Sequence, residues 1–209
     1  AFAGNYGKYV DKAIGAQNAF YIMKYGNQGS SVYPYMYDEY ESSPLNRVLR
    51  SHKPGAEYQT DEHTLRNSYF GNDSTTVLRL DIDAATNELR VNGYYASAEL
   101  SGVRTTDEDG AVTINYTDKE DHLIYSDKRI RRGSSTEQTI TRYVYDDCGR
   151  LGWVVTPEGS ENLEANASYV PNGAFARAYC YVYTYDDRGR MSEKQFPGRE
   201  PEFMVYDRG

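Results

Sequence analysis

Residues that could carry chemistry are few in this chain. Asp81 and Asp83 follow a run of strand-forming residues, where a phosphatase nucleophile loop or a calcium loop could begin. Alanine stands at position 85, no glycine follows at the sixth place of a calcium loop, and the next pattern is a strand instead of a helix. We therefore predict that this Asp-x-Asp pair belongs to a hairpin turn.

The histidines give no indication of a metal site. His52, His63 and His122 lie far apart in the sequence, and their spacing matches no zinc-ligand pattern, so we predict surface histidines. The sequence also contains no Gly-x-Ser-x-Gly, Walker or Gly-x-Gly-x-x-Gly pattern. We expect no catalytic residue, no metal ligand and no cofactor, and we predict that the protein is not an enzyme.

One repeated stretch organises the rest of the chain. In residues 179–191, tyrosines alternate with other residues at a period of two, which predicts a β-strand that carries them on one face. These tyrosines are Tyr179, Tyr181, Tyr183 and Tyr185. Asp186 suits the first position of a tight turn, because its carboxylate can accept the N–H two residues on, and Gly189 can adopt positive φ. Residues 190–196 then return as a second strand, so the stretch predicts a hairpin.

The same residues recur before and after this hairpin. The repeated positions are Tyr145, Asp146, Gly149, Arg150, Tyr185, Asp186, Gly189, Arg190, Tyr206 and Asp207. Residues 116–123 carry a weaker copy with Asp121 in place of the glycine, which aspartate allows because it tolerates left-handed φ. Tyr37-Asp38, ahead of Asn46-Arg47, predicts a degenerate copy with a stretched turn. Internal repetition of this kind indicates stacked supersecondary units.

The Tyr-Asp-x-x-Gly-Arg unit, followed by an apolar residue, resembles the YD repeat of the Rhs (rearrangement hotspot) family, which includes bacterial wall-associated proteins and, distantly, the teneurins. Other segments resemble, in order, the region ahead of the Rhs core in long secreted bacterial members; these are residues 43–49, 53–55, 118–119, 196–198 and 205–207. The Asp-Pro cleavage site of toxin-bearing members does not occur in this sequence. The chain therefore resembles a piece of a longer Rhs-like protein.

The resemblance implies a structural role at an extracellular or cell-surface location. Such repeats spiral into a hollow β-shell that encloses a C-terminal effector, or they display binding surfaces between cells. The implied partner is the remainder of the same longer chain. Because the third motif copy breaks off at Gly209, we also expect the edge strand over 205–209 to fray or to self-associate.

The tyrosine stripe allows two interpretations. Packed between neighbouring strands, tyrosine pairs stabilise a sheet by about 0.2–1 kcal/mol each. Exposed and coplanar, Tyr179, Tyr181 and Tyr183 could instead stack on sugar rings, which would make a surface carbohydrate-binding or adhesin module.

Composition limits the remaining function classes. The net charge of −8 at pH 7 argues against nucleic acid as a partner, because phosphate binding needs clustered Lys and Arg. Arg129, Arg131 and Arg132 form the only basic cluster, which we interpret as a solvated turn. No apolar run approaches the roughly 18 residues of a membrane span. With 22 Tyr among the 209 residues, aromatic rings must supply much of the core.

We predict an all-β fold, a curved antiparallel sheet of consecutive YD-type hairpins with one short N-terminal α-helix over residues 9–24. Residues 1–60 are expected to hold the helix and an irregular segment with the degenerate repeat, and residues 61–209 the hairpin array. Hairpins are predicted over 75–95 and 99–117, and residues 157–173 should form a long loop. Cys148 lies in a turn and Cys180 eight residues ahead of the equivalent position, so in-phase stacking separates the sulfurs by about 25 Å and predicts two free thiols.

Overall fold

The computed structural model describes residues 13–25, 36–55, 57–61, 63–83, 85–165 and 171–207. The structure is mostly antiparallel β-sheet with a few short helices, which confirms the predicted fold class. The chain divides into two compact units. The first contains the described residues up to Asn67 together with Thr106–Gly110, and the second contains Ser68–Thr105 and the described residues from Ala111 onward.

The first unit joins a helix to a small sheet. Its elements are α1 (Ala13–Tyr25), β1 (Tyr37–Tyr40), β2 (Val48–His52), a 3₁₀ turn (Glu57–Gln59) and the beginning of β3 (Leu65–Gly71). The helix lies where the apolar spacing predicts it. Strand β2 pairs with β1 on one side and with β3 on the other, in antiparallel fashion throughout. Residues 9–12 of the predicted helix lie outside the described residues.

His52 corrects the prediction of surface histidines. It is 4% exposed, and its ring stacks on Tyr37 with centroids 4.3 Å apart. Its Nδ1 lies 3.2 Å from the carbonyl oxygen of Tyr58 and its Nε2 lies 3.1 Å from a carboxylate oxygen of Glu39. Sequence spacing could not reveal this environment, because the partners come from two separate segments, β1 and the 3₁₀ turn.

The second unit is built from consecutive hairpins. Its elements are β4 (Leu78–Ile82), β5 (Leu89–Tyr94), β6 (Ser101–Thr106), β7 (Val112–Thr117), β8 (Leu123–Arg132), β9 (Ser135–Tyr145), β10 (Leu151–Val155), α2 (Pro157–Ala165), α3 (Gly173–Tyr179), β11 (Cys180–Tyr185), β12 (Met191–Gln195) and β13 (Glu202–Phe203). The main sheet runs in the order β3-β6-β7-β8-β9-β10-β11-β12-β13, and β4 pairs only with β5. Apart from this excursion, strands that are neighbours in sequence are neighbours in the sheet.

The long loop predicted over 157–173 is wrong in its first part, where helix α2 occupies Pro157–Ala165; α3 begins at the last residue of that range, and residues 166–170 lie outside the described residues. Helix α3 begins after Asn172, whose side-chain oxygen accepts the N–H groups of Ala174 and Phe175 at 3.0 and 3.2 Å, a standard N-cap. Tyr179 is the last residue of α3, so the strand begins at Cys180 and the predicted stripe loses its first tyrosine. Among the described residues, no helix is long and apolar enough to cross a membrane.

The helices and the β4–β5 hairpin pack against the main sheet through one apolar cluster. Its fully buried members are Leu78, Leu80, Leu89, Val144, Trp153, Val155, Leu163, Phe175, Ala176 and Cys180. Strands β9, β10 and β11 supply the sheet side of this cluster. A second cluster lies around Tyr116 and Tyr125, whose rings meet edge to face at 5.7 Å. Tyrosine therefore supplies part of the core, as the composition predicts.

Candidate functional site: a ladder of linked turns

The turn between β9 and β10 shows the local geometry of the repeat. One carboxylate oxygen of Asp146 accepts the N–H groups of Cys148 and Arg150, both at 2.9 Å. The other oxygen accepts the Nε–H of Arg150 at 2.7 Å. Gly149 lies at φ +74°, a conformation that L side chains rarely adopt. Each residue of the Asp-x-x-Gly-Arg motif therefore has a defined role in closing the turn.

The turn between β11 and β12 repeats this arrangement. Asp186 accepts the N–H groups of Arg188 and Arg190 at 2.9 Å and the Nε–H of Arg190 at 2.9 Å. Gly189 lies at φ +75°, so the prediction of positive φ at both motif glycines is confirmed. The two turns coincide in every one of these contacts.

The turn between β7 and β8 keeps the geometry with different residues. Asp118 accepts the N–H groups of Glu120 and His122, both at 2.9 Å, and its second oxygen lies 3.0 Å from the imidazole Nδ1 of His122. Histidine thus occupies the place that arginine takes in the other two copies. Asp121 stands at φ +62° in the glycine position, which confirms that aspartate can replace glycine there.

Each motif tyrosine packs on the turn that precedes it in the chain. Tyr145 stacks on the His122 ring at 4.4 Å. The ring centroids of Tyr185 and Tyr206 lie 4.8 and 4.3 Å from the guanidinium carbons of Arg150 and Arg190. The three hydroxyls donate to main-chain carbonyls one residue beyond the stacked side chain; the acceptors are Leu123, Leu151 and Met191, at 3.3, 2.9 and 2.8 Å. We call these three turns, with Tyr145, Tyr185 and Tyr206, the turn ladder.

A β-bulge lies beside each of the three turns of the turn ladder. Register shifts skip Ile124 opposite the end of β7, Gly152 opposite the end of β9, and Ser192 opposite the end of β11. A bulge adds one residue to one strand and increases its local twist. Because the bulge falls at the same motif position in all three copies, the hairpins repeat in backbone geometry as well as in sequence.

The turn carboxylates are held in their ionised form. Burial acts to raise the pKa of Asp146, but hydrogen bonds from Arg150 and Cys148 outweigh it and keep that pKa below its usual value. Asp118 follows the same pattern, with hydrogen bonds from His122 and Glu120. At Asp186, the main-chain hydrogen bond from Arg190 is the largest cause of a lowered pKa. The carboxylates of these aspartates are hydrogen-bonded within the turns, and their lowered pKa values do not suit proton transfer near neutral pH.

The degenerate copy in the first unit has a different register from the predicted one. Glu41, and not Asp38, plays the part of the motif aspartate: it accepts the Nε–H of Arg47 at 2.8 Å, and its N–H donates to the carbonyl of Arg47 at 3.0 Å. Asn46 stands at φ +51° in the glycine position. The hydrogen bond from Arg47 is the main cause that lowers the pKa of Glu41 to about 2. The correct register of this copy could therefore have been predicted from the pattern Tyr40-Glu41 followed by Asn46-Arg47.

The β4–β5 excursion is closed by an amide version of the same turn. Asn72 donates its N–H to the carbonyl of Leu100 at 3.3 Å, and its side-chain oxygen accepts the N–H of Leu100 at 2.8 Å. Ala98 stands at φ +60° between them. Asn72 is 3% exposed, where an aspartate without an arginine partner would be costly. This copy of the turn could not be predicted from the sequence, because Asn72 and Leu100 lie far apart along the chain.

One set of side chains could in principle offer ligands to a metal. Oxygens of Asp118 and Glu120 and a nitrogen of His122 lie within 4.8 Å of one another, the one such set in the described part of the chain. Both Asp118 oxygens and the His122 Nδ1 already make the contacts that the Asp–Arg pairs make in the sister turns. We therefore assign this set to the turn ladder and not to a metal centre.

The three tyrosines that could stack on a sugar, Tyr179, Tyr181 and Tyr183, lie in different surroundings. Tyr179 packs on Phe175 with ring centroids 5.4 Å apart, and Tyr181 meets Phe196 edge to face at 5.5 Å. Tyr183 lines an open cavity of about 320 Å³. The three rings therefore have separate surroundings and do not form one stripe.

The cysteines differ in accessibility. Cys148 is an exposed thiol at the edge of the cavity lined by Tyr183, and Cys180 is a buried thiol. Burial raises the pKa of Cys180 to about 12. Cys148 is thus the accessible sulfur of the pair.

Comparison with known proteins adds one match. Residues 1–70 match a family described as a domain of unknown function, DUF6443. No curated protein sequence matches the chain. The matched region covers α1, β1, β2 and most of β3, and the turn ladder lies beyond it.

Proposed function

We propose that this chain is a non-enzymatic structural segment of a large secreted protein of the Rhs/YD-repeat type. In this proposal it forms part of a β-shell that encloses or displays a C-terminal effector, at an extracellular or cell-surface location. The observation that carries the proposal is the turn ladder, in which Tyr145, Tyr185 and Tyr206 each pack on the turn before them. Linked turns of the same backbone geometry suit a wall built by adding hairpins.

The chemistry of the ladder supports a structural role over a catalytic one. Asp146 and Asp186 are saturated by hydrogen bonds from their own turns, and Arg150 and Arg190 are held between a carboxylate and a tyrosine ring. A catalytic acid or base needs a proton-transfer partner within reach and a pKa near the working pH. The lowered pKa values of the two aspartates point the other way.

Limited proteolysis of the longer polypeptide that contains this chain tests the proposal. If the chain contributes to a shell, the segment that follows it should survive a protease dose that digests the same segment expressed alone. The double variant Asp146→Asn/Asp186→Asn should accelerate that digestion, because it weakens two rungs without changing side-chain size. Digestion at equal rates in the intact polypeptide and in the isolated segment would contradict the proposal.

A second candidate function is a carbohydrate-binding or adhesin module, favoured by the cavity beside Tyr183. Its lining combines the Tyr183 and Tyr185 rings with the carboxylates of Asp83 and Asp147 and the Asn87 amide, groups that can bind sugar hydroxyls. A glycan array distinguishes the two candidates. Binding that is lost in Tyr183→Ala but kept in the matched control Tyr181→Ala would favour the module, and an array without hits would leave the structural proposal standing.

A further inference from the structure

The β8–β9 hairpin extends past the strands on both sides of it. Strand β7 pairs with β8 only as far as Arg129, and β10 pairs with β9 only as far as Arg142. Pairing between β8 and β9 themselves continues to Arg132 and Ser135. Residues 131–138 are all exposed. We call residues 128–138 the β8–β9 finger.

The finger is basic in a protein whose net charge is −8. Arg132 pairs with Glu137 at 2.7 Å, and Arg129 pairs with Asp127 at 2.6 Å. Lys128 is exposed, and the Nε–H of Arg131 donates only to the carbonyl of Gly133, at 3.2 Å. Within the described residues, neither Lys128 nor Arg131 has a carboxylate partner. The finger therefore presents two uncompensated positive charges.

The ladder end of the same hairpin is acidic. Two cavities of about 320 and 200 Å³ share Asp146 and Asp147, and six carboxylates line them; these belong to Asp81, Asp83, Asp118, Glu120, Asp146 and Asp147. Arg79 and Arg90 pair with the first two, Arg150 pairs with Asp146, and Asp118 accepts the hydrogen bonds of its own turn. Glu120 lies 3.7 Å from the His122 ring, and in the described structure Asp147 has no cationic partner. Glu120 and Asp147 are therefore the carboxylates at this end that neither an arginine nor the hydrogen bonds of a turn engage.

The two ends cannot meet within one molecule. Strand β8 begins at Leu123, directly after the Asp118–His122 turn, and ends at Arg132. At about 3.3 Å per residue, the finger tip lies roughly 30 Å from the acidic cavities. That distance exceeds the Debye length of about 8 Å at physiological salt, so the charges of one copy do not compensate each other.

We propose that the β8–β9 finger of one copy docks against the acidic cavities of a second copy. Lys128 and Arg131 then pair with Glu120 and Asp147 of the next molecule. Because the two surfaces lie at opposite ends of the hairpin, copies can associate head to tail, and two antiparallel copies can also form both contacts at once about a two-fold axis. This inference stands apart from the proposed shell function, because it concerns association between chains and not the order of hairpins within one.

Sedimentation velocity of the 209-residue chain at two salt concentrations tests the proposal. At about 0.01 M salt the screening length is about 30 Å, and at about 1 M it is about 3 Å. We expect concentration-dependent association at the lower salt and a monomer at the higher salt. A chain that stays monomeric at roughly 0.1 mM in low salt would overturn the proposal.

Charge reversal identifies the two surfaces. The variants Lys128→Glu/Arg131→Glu and Glu120→Lys/Asp147→Lys should each lose self-association by about tenfold or more, because each places like charges together. Each contact between the two double variants joins opposite charges, so a mixture of them should associate although neither does alone. The single quadruple variant, whose surfaces are complementary again, should associate as the wild type does. Thermal melts check that each variant is folded. Association that survives either double variant, as pairing through the exposed edge of β13 would, overturns the assignment.

Discussion

Arg142 and Glu164 provide a test of how helix α2 is attached to the sheet. Arg142 is 1% exposed, and its guanidinium carbon lies 5.0 Å from the centroid of the Tyr125 ring. One Nη donates to the carboxylate of Glu164 on α2, while Nε and the other Nη have no hydrogen-bond partner. Desolvation is the largest cause of a lowered pKa at Arg142. A buried charge with a single ionic partner depends strongly on that partner.

The two partners should respond unequally to substitution. Removing one member of a buried pair costs about 3–5 kcal/mol. The Glu164 side chain is 41% exposed, so we expect Glu164→Gln to cost about 2–3 kcal/mol, somewhat below that range. Arg142→Met loses the stacking on Tyr125 but also removes two unpaired buried donors, worth about 1–3 kcal/mol each, so its net effect should be within about 1 kcal/mol of zero.

Thermal and urea unfolding of the wild type and four variants measures this asymmetry. For a chain of this size, Glu164→Gln should lower the melting temperature by about 5–10 °C, and the double variant with Arg142→Met should recover most of that loss. Glu161→Gln, on the exposed side of α2, is the matched control and should change little. If Arg142→Met destabilises more than Glu164→Gln, or if the double variant is the sum of the singles, the reasoning about the buried charge is wrong.

Further predictions concern the turns and the thiols. Gly189→Val should lower the free energy of unfolding by about 1 kcal/mol or more. Gly149→Val should lower it further, because a Cβ at position 149 would lie 3.2 Å from the His122 ring, whereas a Cβ at position 189 would lie 3.6 Å from Arg150. Equal losses for the two variants in urea unfolding would refute this ranking. The pKa values of Asp146 and Asp186 are lowered in the folded state, so their ionised forms stabilise the fold at pH values above the unfolded-state pKa of about 3.9. This stabilisation is lost as the pH falls through the folded-state pKa values. Acid titration followed by circular dichroism should therefore show unfolding below about pH 4, with a weaker pH dependence in the Asp→Asn variants. Cys148 should react with a thiol reagent in the native protein and Cys180 only after unfolding, as intact mass would show; simultaneous modification would contradict the burial of Cys180.

The hairpin turns were predictable because the residues that form each turn lie close together in the sequence. Asp146 and Gly149 fix one hairpin turn, Asp186 and Gly189 fix another, and Asp121 could be recognised as a glycine substitute. Alternation of apolar residues located most of the strands around them. The turn motif also fixes which strands pair, since a short turn joins neighbours.

The ladder itself could not be predicted from the sequence. The contact of Tyr185 with Arg150 depends on sheet order and on a bulge at Gly152, and neither is visible in local residue patterns. Helix α3 was missed because Gly173 and the preceding Pro171-Asn172 suggest a loop, although Asn172 is also an N-cap signal. The burial of His52 depends on a partner 13 residues away and on a carbonyl from a separate turn.

A double-mutant cycle between Arg150 and Tyr185 tests most directly whether the turns are linked to one another. We predict a coupling free energy of about 0.5–1 kcal/mol between Arg150→Gln and Tyr185→Leu, since the ring lies 4.8 Å from the guanidinium carbon. The control cycle between Arg150 and Tyr206, which stacks on Arg190 instead, should be additive within about 0.3 kcal/mol. Additivity in both cycles would contradict the ladder and leave three independent turns.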